Sequence, residues 1–179
     1  MATWPAPDVP FFPAGYAPSA ADFASWWMNN AGFHQNKVVF RGSQTVTATT
    51  LPDTEAITLI KLDTISEDPY SGWNASTWAW TPPAGYSGWY EITGTLATVA
   101  LASGDAIRPL LTGTYTLDLA TTVGATSVPA GSEGYACVYL VGGQDTVSLS
   151  GALYAATANV NTSIAAGNQS SLEIVWLAL

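Results

Sequence analysis

The segment Trp73–Leu96 constrains this chain more than any other, because it sets a run of aromatic residues and a Pro-Pro turn directly before an alternating strand. Trp78 and Trp80 fall on one strand face, Pro82 and Pro83 end that strand, and Gly85 and Gly88 permit a tight reversal. Tyr90, Ile92, Gly94 and Leu96 then alternate inward, which turns Trp89 outward. A segment patterned this way predicts a β-sandwich whose information is spent on packing.

The rest of the chain agrees with that reading from Phe33 onward, where short Thr/Val/Ile/Leu-rich runs are separated by Gly, Pro, Asn and Asp. The pattern predicts an antiparallel all-β domain of roughly eight to ten strands. They are placed near 38–50, 55–65, 77–81, 88–101, 105–118, 120–128, 134–141, 145–155 and 170–178. The first residues differ in kind. Pro5, Pro7, Pro10, Pro13 and Pro18 stand among Trp4, Phe11, Phe12 and Tyr16, which forbids helix and favours an extended arm with exposed aromatics. Ser19 then caps one short helix over 19–30, with Phe23, Trp26 and Trp27 on one face and Asn29, Asn30 and Gly32 ending it. The expected organisation is an N-terminal arm with a short helix, 1–37, and a β-domain, 38–179.

Only 9% of the 179 residues are charged, and four basic residues against thirteen acidic ones give a formal charge of -9. Such a chain cannot neutralise a phosphate backbone or an anionic lipid surface, so neither nucleic acid nor membrane is an expected partner. No basic and apolar leader and no apolar stretch of spanning length is present, which predicts synthesis and solubility in a cytoplasm. A surface so poor in charge is expected to be covered by copies of the chain or by other proteins.

Catalytic and metal-binding chemistry finds little support. His34 is the single histidine, and its connector carries no nucleophile motif, so it reads as a polar joint rather than a base. The single cysteine, Cys137, lies in an apolar run and is expected to be a buried small hydrophobe. Asp63, Glu67 and Asp68 could offer oxygens to calcium, but their spacing does not match a calcium loop and they read as solvated carboxylates. Asp53, Asp105, Asp118, Glu133 and Asp145 belong to no local glycosidase motif. No cofactor and no enzymatic activity are expected. Of the aromatic cluster, Trp73 and Trp89 are the residues proposed as possible ligand contacts, the others being assigned to the core.

The last strand carries the clearest sign of association. Leu172, Ile174, Trp176 and Ala178 form one face and Val175, Leu177 and Leu179 the other, and both are apolar. The run around Tyr139 is alike. An antiparallel sandwich normally turns one face to water, so a strand apolar on both sides predicts subunits that meet over sheet surface. Val175, Trp176, Leu177, Leu179 and Tyr139 are the expected interface, with Trp176→Asp expected to abolish assembly.

The stretch around Trp80, Pro83, Gly88 and Tyr90 resembles the signature of the C1q/TNF-like jelly roll. The wider order of motifs also resembles a group of bacteriophage virion proteins: Phe40–Thr45, then Leu62-Asp63 with Asp68–Asn74, then Ser171–Trp176. The resemblance covers roughly 38–179 and implies a jelly roll assembled as a tight homotrimer, its C-terminal strand near the three-fold axis. It implies a non-enzymatic virion structural protein, a capsid decoration or minor capsid knob made in the host cytoplasm. Its partners would be itself and major capsid or other virion proteins. The arm, through Trp4, Phe11, Phe12, Tyr16, Trp26 and Trp27, would anchor it to the particle. The alternative is a tail or head-fibre adhesin that binds a host-surface carbohydrate.

Overall fold

The structure, a computed structural model, describes residues 38–178 apart from 125–127 and 155–157. The expected helix over 19–30, His34, Leu179 and all six anchoring aromatics lie outside the described residues. In chain order the strands are β1 (Val38–Ser43), β2 (Thr50–Leu51), β3 (Thr58–Leu59), β4 (Thr64–Glu67), β5 (Trp73–Asn74), β6 (Ala79–Trp80), β7 (Gly88–Leu101) and β8 (Ala106–Gly113). Then come β9 (Leu117–Asp118), β10 (Thr122–Val123), β11 (Val128–Leu140), β12 (Val147–Tyr154), β13 (Val160–Asn161), β14 (Ile164–Ala165), β15 (Asn168–Gln169) and β16 (Ser171–Ala178).

Two antiparallel sheets face each other. One has five strands in the order β11-β7-β16-β1-β4; the other has seven, β10-β8-β12-β6-β5 with β3 beside β12 and β9 beside β8. Neighbours in the five-stranded sheet are far apart in sequence, as in β16 against both β1 and β7. The core between the sheets is filled by Phe40, Leu51, Ile60, Leu62, Trp80, Tyr90, Ile92, Leu96, Ile107, Leu110, Leu140, Leu149, Leu153, Leu172 and Ile174. At about 25 cal/mol per Å² of apolar surface removed from water, such side chains contribute about 1.5–3 kcal/mol each.

The alternation expected from Gly88 to Leu96 is present, with Tyr90, Ile92 and Leu96 buried and Trp89 exposed. It then reverses phase. Pro129 lies opposite Ala100 and Ala130 opposite Thr98, so Val99 is skipped by the pairing and Leu101 turns inward instead. Two other expectations need correction. The segments expected at 120–128 and 134–141 are instead the two-residue β10 and one long strand, β11, which runs through Gly131 and Gly134. Trp78 does not share a strand face with Trp80: its φ of 54° places it in a left-handed turn that precedes β6.

Gly134 explains why a glycine stands inside a long strand. It pairs with Gly94, and the segment after β9 crosses at that point, so a Cβ on residue 134 would lie 2.3 Å from the Leu119 carbonyl oxygen. Backbone must move to admit it. Gly134→Ala is therefore expected to cost about 1–3 kcal/mol in denaturant unfolding, and an unchanged midpoint would contradict the close approach.

The loop after β1 is closed by Asp63. Its Oδ1 accepts from the Thr45 amide at 2.7 Å, and its Oδ2 from the Val46 and Thr47 amides at 3.0 and 2.9 Å. Desolvation alone would raise this carboxyl, but the three amides and the Thr45 hydroxyl outweigh it and hold the pKa below the ordinary carboxylate value. A depressed folded value adds stability that is complete above an unfolded pKa of about 4 and is lost as pH falls through the folded one. Asp63→Asn should lower the melting temperature at pH 7 and flatten its decline below pH ~4; a variant that keeps the wild-type acid slope would exclude Asp63 as its source.

Candidate functional site

The outer face of the five-stranded sheet follows from the inner one, since each inward residue leaves its neighbour pointing away. Rows of opposed residues can be read across it. Tyr139 stands beside Trp89; Cys137, Glu91 and Val175 form the next row, continued by Val38. Tyr135, Thr93, Glu173, Arg41 and Glu67 form the third, and Glu133, Thr95 and Ser171 the fourth. The face is thus apolar at one end and charged at the other.

At the apolar end Trp89 is 47% exposed, Leu177 44% and Tyr139 42%, and Tyr135, at the margin of the charged row, is 74% exposed. Trp89 meets Tyr139 edge to face with centroids 5.8 Å apart. Leu177 is exposed because the pairing of β16 with β7 skips it, between Trp176 opposite Tyr90 and Ala178 opposite Trp89. The apolar surface continues round the edge of the sandwich to Tyr115, 41% exposed, whose hydroxyl donates to the Tyr139 carbonyl at 3.1 Å. The charged end is self-contained: Arg41 donates to Glu67 at 2.8 Å and to Glu173 at 2.7 Å. Those exposed pairs contribute little stability but leave the guanidinium occupied.

The residues singled out from sequence separate on this frame. Val175, Leu177 and Tyr139 lie on the outer face. Trp176 does not: it is 3% exposed, points into the sandwich, stacks near Tyr90 at 6.4 Å and meets the Tyr86 ring at 5.5 Å. Its substitution by Asp would destroy the subunit core and cannot report on assembly. Cys137 is exposed rather than buried, because Val138 and Leu140 take the inward positions of β11. Sequence alone gave no phase for that apolar run; the pairing with Glu91 fixes it.

Trp73 and Trp89 are not brought together. Trp73, on β5 of the other sheet, is half-buried, stacked on Phe40 at 5.0 Å and met edge-on by Trp78 at 6.4 Å. The acidic residues weighed for calcium have separate duties: Asp63 closes its loop, Glu67 pairs with Arg41, and Asp68 accepts from the Gly72 and Trp73 amides at 2.9 and 3.0 Å. Among the described residues, no three His, Cys, Asp or Glu side chains are grouped to hold a metal ion. Three of the five carboxylates weighed for glycoside cleavage have partners: Asp118 pairs with Arg108 at 2.7 Å, Asp145 accepts from the Val141 amide at 2.6 Å, and Glu133 accepts from the Thr95 hydroxyl at 3.1 Å.

The two faces of β16 can be separated by mutation. Trp176→Ala is expected to destabilise the folded subunit by about 3–5 kcal/mol, whereas Leu177→Asp should leave its unfolding within about 0.5 kcal/mol of wild type. Equal losses in both, measured by urea unfolding at low protein concentration, would contradict the assignment of faces.

No family model matches the chain, and no curated protein matches it in sequence. Solved structures do match. The Eiger TNF from S. frugiperda aligns over 80% of this chain and 94% of its own, with a TM-score of 0.53 at 10% identity. The PRD1 vertex protein P5 aligns over 79% and 97%, with a TM-score of 0.54 at 16% identity. At those identities fold alone is shared, and the described residues form an antiparallel jelly roll of the TNF-like kind.

Proposed function

We propose that this chain is a non-enzymatic structural protein of a phage virion, a homotrimeric knob whose subunits meet over the outer face of the five-stranded sheet. The observation that carries the reading is the apolar strip formed by Leu177, Trp89, Tyr139 and Tyr115, which covers part of the face and turns the corner onto the sandwich edge. Exposed aromatics grouped in this way mark an association surface. A face and an adjoining edge that are both apolar favour a heterologous contact, in which the edge of one copy meets the face of the next and rotation closes a ring.

The jelly roll shared with the PRD1 vertex protein P5 supports placing the knob on a virion. The division of labour is then simple. The domain 38–179 forms the trimer, while residues 1–37 attach it to major capsid or other shell proteins through Trp4, Phe11, Phe12, Tyr16, Trp26 and Trp27. Many weak attachments of this kind act together, because each trimer presents three arms to a repeating shell.

Light scattering on the full chain and on a chain beginning at Val38, each also mixed with emptied phage particles and pelleted, tests the reading. Trimers of both, with only the full chain pelleting, are the expected result. A monomer, or pelleting without residues 1–37, would overturn it. Leu177→Asp should dissociate the trimer while the subunit stays folded, since it places an unpaired charge in the contact. Binding of the full chain to a host-surface saccharide, lost in Trp89→Ala, would favour a carbohydrate-binding adhesin instead.

A further inference from the structure

The aromatic hairpin formed by β5 and β6 takes no part in the contact proposed above and lies on the other sheet. Trp73 pairs with Trp80 and Asn74 with Ala79, so residues 75–78 close the turn. The Asn74 Oδ1 accepts from the Ser76 amide at 2.9 Å and from the Thr77 amide at 3.3 Å, which fixes the tip. The backbone then enters the left-handed region at Trp78, with a φ of 54°. That region suits glycine, because a Cβ crowds the following carbonyl oxygen, and a tryptophan there is under strain. Ser71, at a φ of 56°, brackets the hairpin from the other side. Its amide donates to the Asp68 carbonyl at 3.2 Å, and the Asp68 carboxylate accepts from the Gly72 and Trp73 amides.

Core packing does not offset that strain in the way it would at Trp80. Trp80 is 0% exposed, whereas the Trp78 ring stays partly exposed and meets Trp73 edge-on at 6.4 Å. Trp73 is itself half-buried and backed at 5.0 Å by Phe40, a core residue. The pair is thus a rigid aromatic step, anchored on the core at one side and open to water at the other. A strained residue that the surrounding structure holds in place marks a position where the placement of the side chain matters more than local stability. The groups around the step are neutral: Ser71, Asn74, Ser76 and Thr77 are exposed, and no charged residue lies between Asp68 and Glu91 in the sequence. Flat indole surface beside hydroxyl and amide groups suits a ligand with an apolar face and a rim of neutral hydroxyls, which is the character of a pyranose ring.

We infer that the β5–β6 hairpin is a contact site for a neutral pyranose. Trp78 supplies the ring against which the C–H face of the sugar packs, Trp73 holds Trp78 in position, and Asn74 and Ser76 hydrogen-bond to the sugar hydroxyls. Asn74 uses its Oδ1 on the turn, so its Nδ2 is the donor that it offers the ligand. Glycine at position 78 would relieve the backbone while removing the ring, so stability and binding part company there. The site does not depend on association over the five-stranded sheet, and each copy of the chain carries one.

Titration of the full chain with the methyl pyranosides of glucose, galactose, mannose and N-acetylglucosamine, each followed by NMR through the indole N–H resonances, tests this with wild type, Trp78→Gly and Trp78→Tyr. At least one sugar should shift the Trp78 resonance saturably in wild type. Trp78→Gly should lose that binding by at least about tenfold, read on the Trp73 resonance, while its melting temperature stays within about 4 °C of wild type or rises. Trp78→Tyr, which keeps an aromatic face, should bind within about tenfold of wild type. No saturable shift with any of these sugars, or binding that persists unchanged in Trp78→Gly, would overturn the inference. So would a Trp78→Gly melting temperature lowered by more than about 4 °C, which would make the ring a packing element.

Discussion

The contact on which the domain depends is the edge-to-face meeting of Trp80 and Tyr90, with ring centroids 5.7 Å apart across the sandwich. Trp80 belongs to the seven-stranded sheet and Tyr90 to the five-stranded one, so this pair joins the two layers. Phe40 adds a second link, 6.4 Å from Trp80, and is stacked on Trp73 beyond. On the other side Tyr90 lies 6.4 Å from Trp176, which meets Tyr86. The Tyr90 hydroxyl donates to the Tyr86 carbonyl at 2.6 Å, which ties the ladder to the turn that reverses the chain. Burial, with a smaller contribution from Tyr86, pushes the Tyr90 phenol well above its ordinary pKa, so the ring enters the core neutral and donating. Such rings contribute through buried area and through their geometry together.

Why so much of this was legible follows from where the information lies. The aromatic run, the Pro-Pro turn and the alternation from Gly88 are local patterns, and each reports a local conformation. The Pro83 carbonyl does accept from the Tyr86 amide at 3.0 Å, and Gly85 does take a positive φ, as a tight reversal requires. The aromatic and glycine positions that carried the resemblance, Trp80, Gly88 and Tyr90, sit at the centre of the ladder and at the opening of β7.

What the sequence could not convey was non-local. The phase of β11 was ambiguous because Tyr135–Val141 is apolar on both faces; only pairing with β7 decides that Val138 and Leu140 go in and Cys137 goes out. Trp176 shows the same difficulty from the other side, since aromatic bulk suits a core or an interface equally well. The reversal at Val99 and the glycine at 134 in β11 depend on a partner strand and a crossing segment more than a dozen residues away. Trp78 fell outside its strand because a left-handed turn, not side-chain character, sets that corner.

The low charge of the chain acquires a structural reason from β7 and β16. On these neighbouring strands alternate positions serve different masters: Tyr90, Ile92, Ile174 and Trp176 fill the core, while Trp89, Val175 and Leu177 supply the outer face. A sandwich that needs only one apolar face would fill the second set with Lys, Glu and Thr. Here that replacement begins only at the far end, where Thr93, Glu173, Arg41 and Glu67 make a conventional solvated surface. The change from one character to the other occurs within a single strand and over a single pleat repeat. Among the described residues, Glu91 is the carboxylate that interrupts these apolar rows.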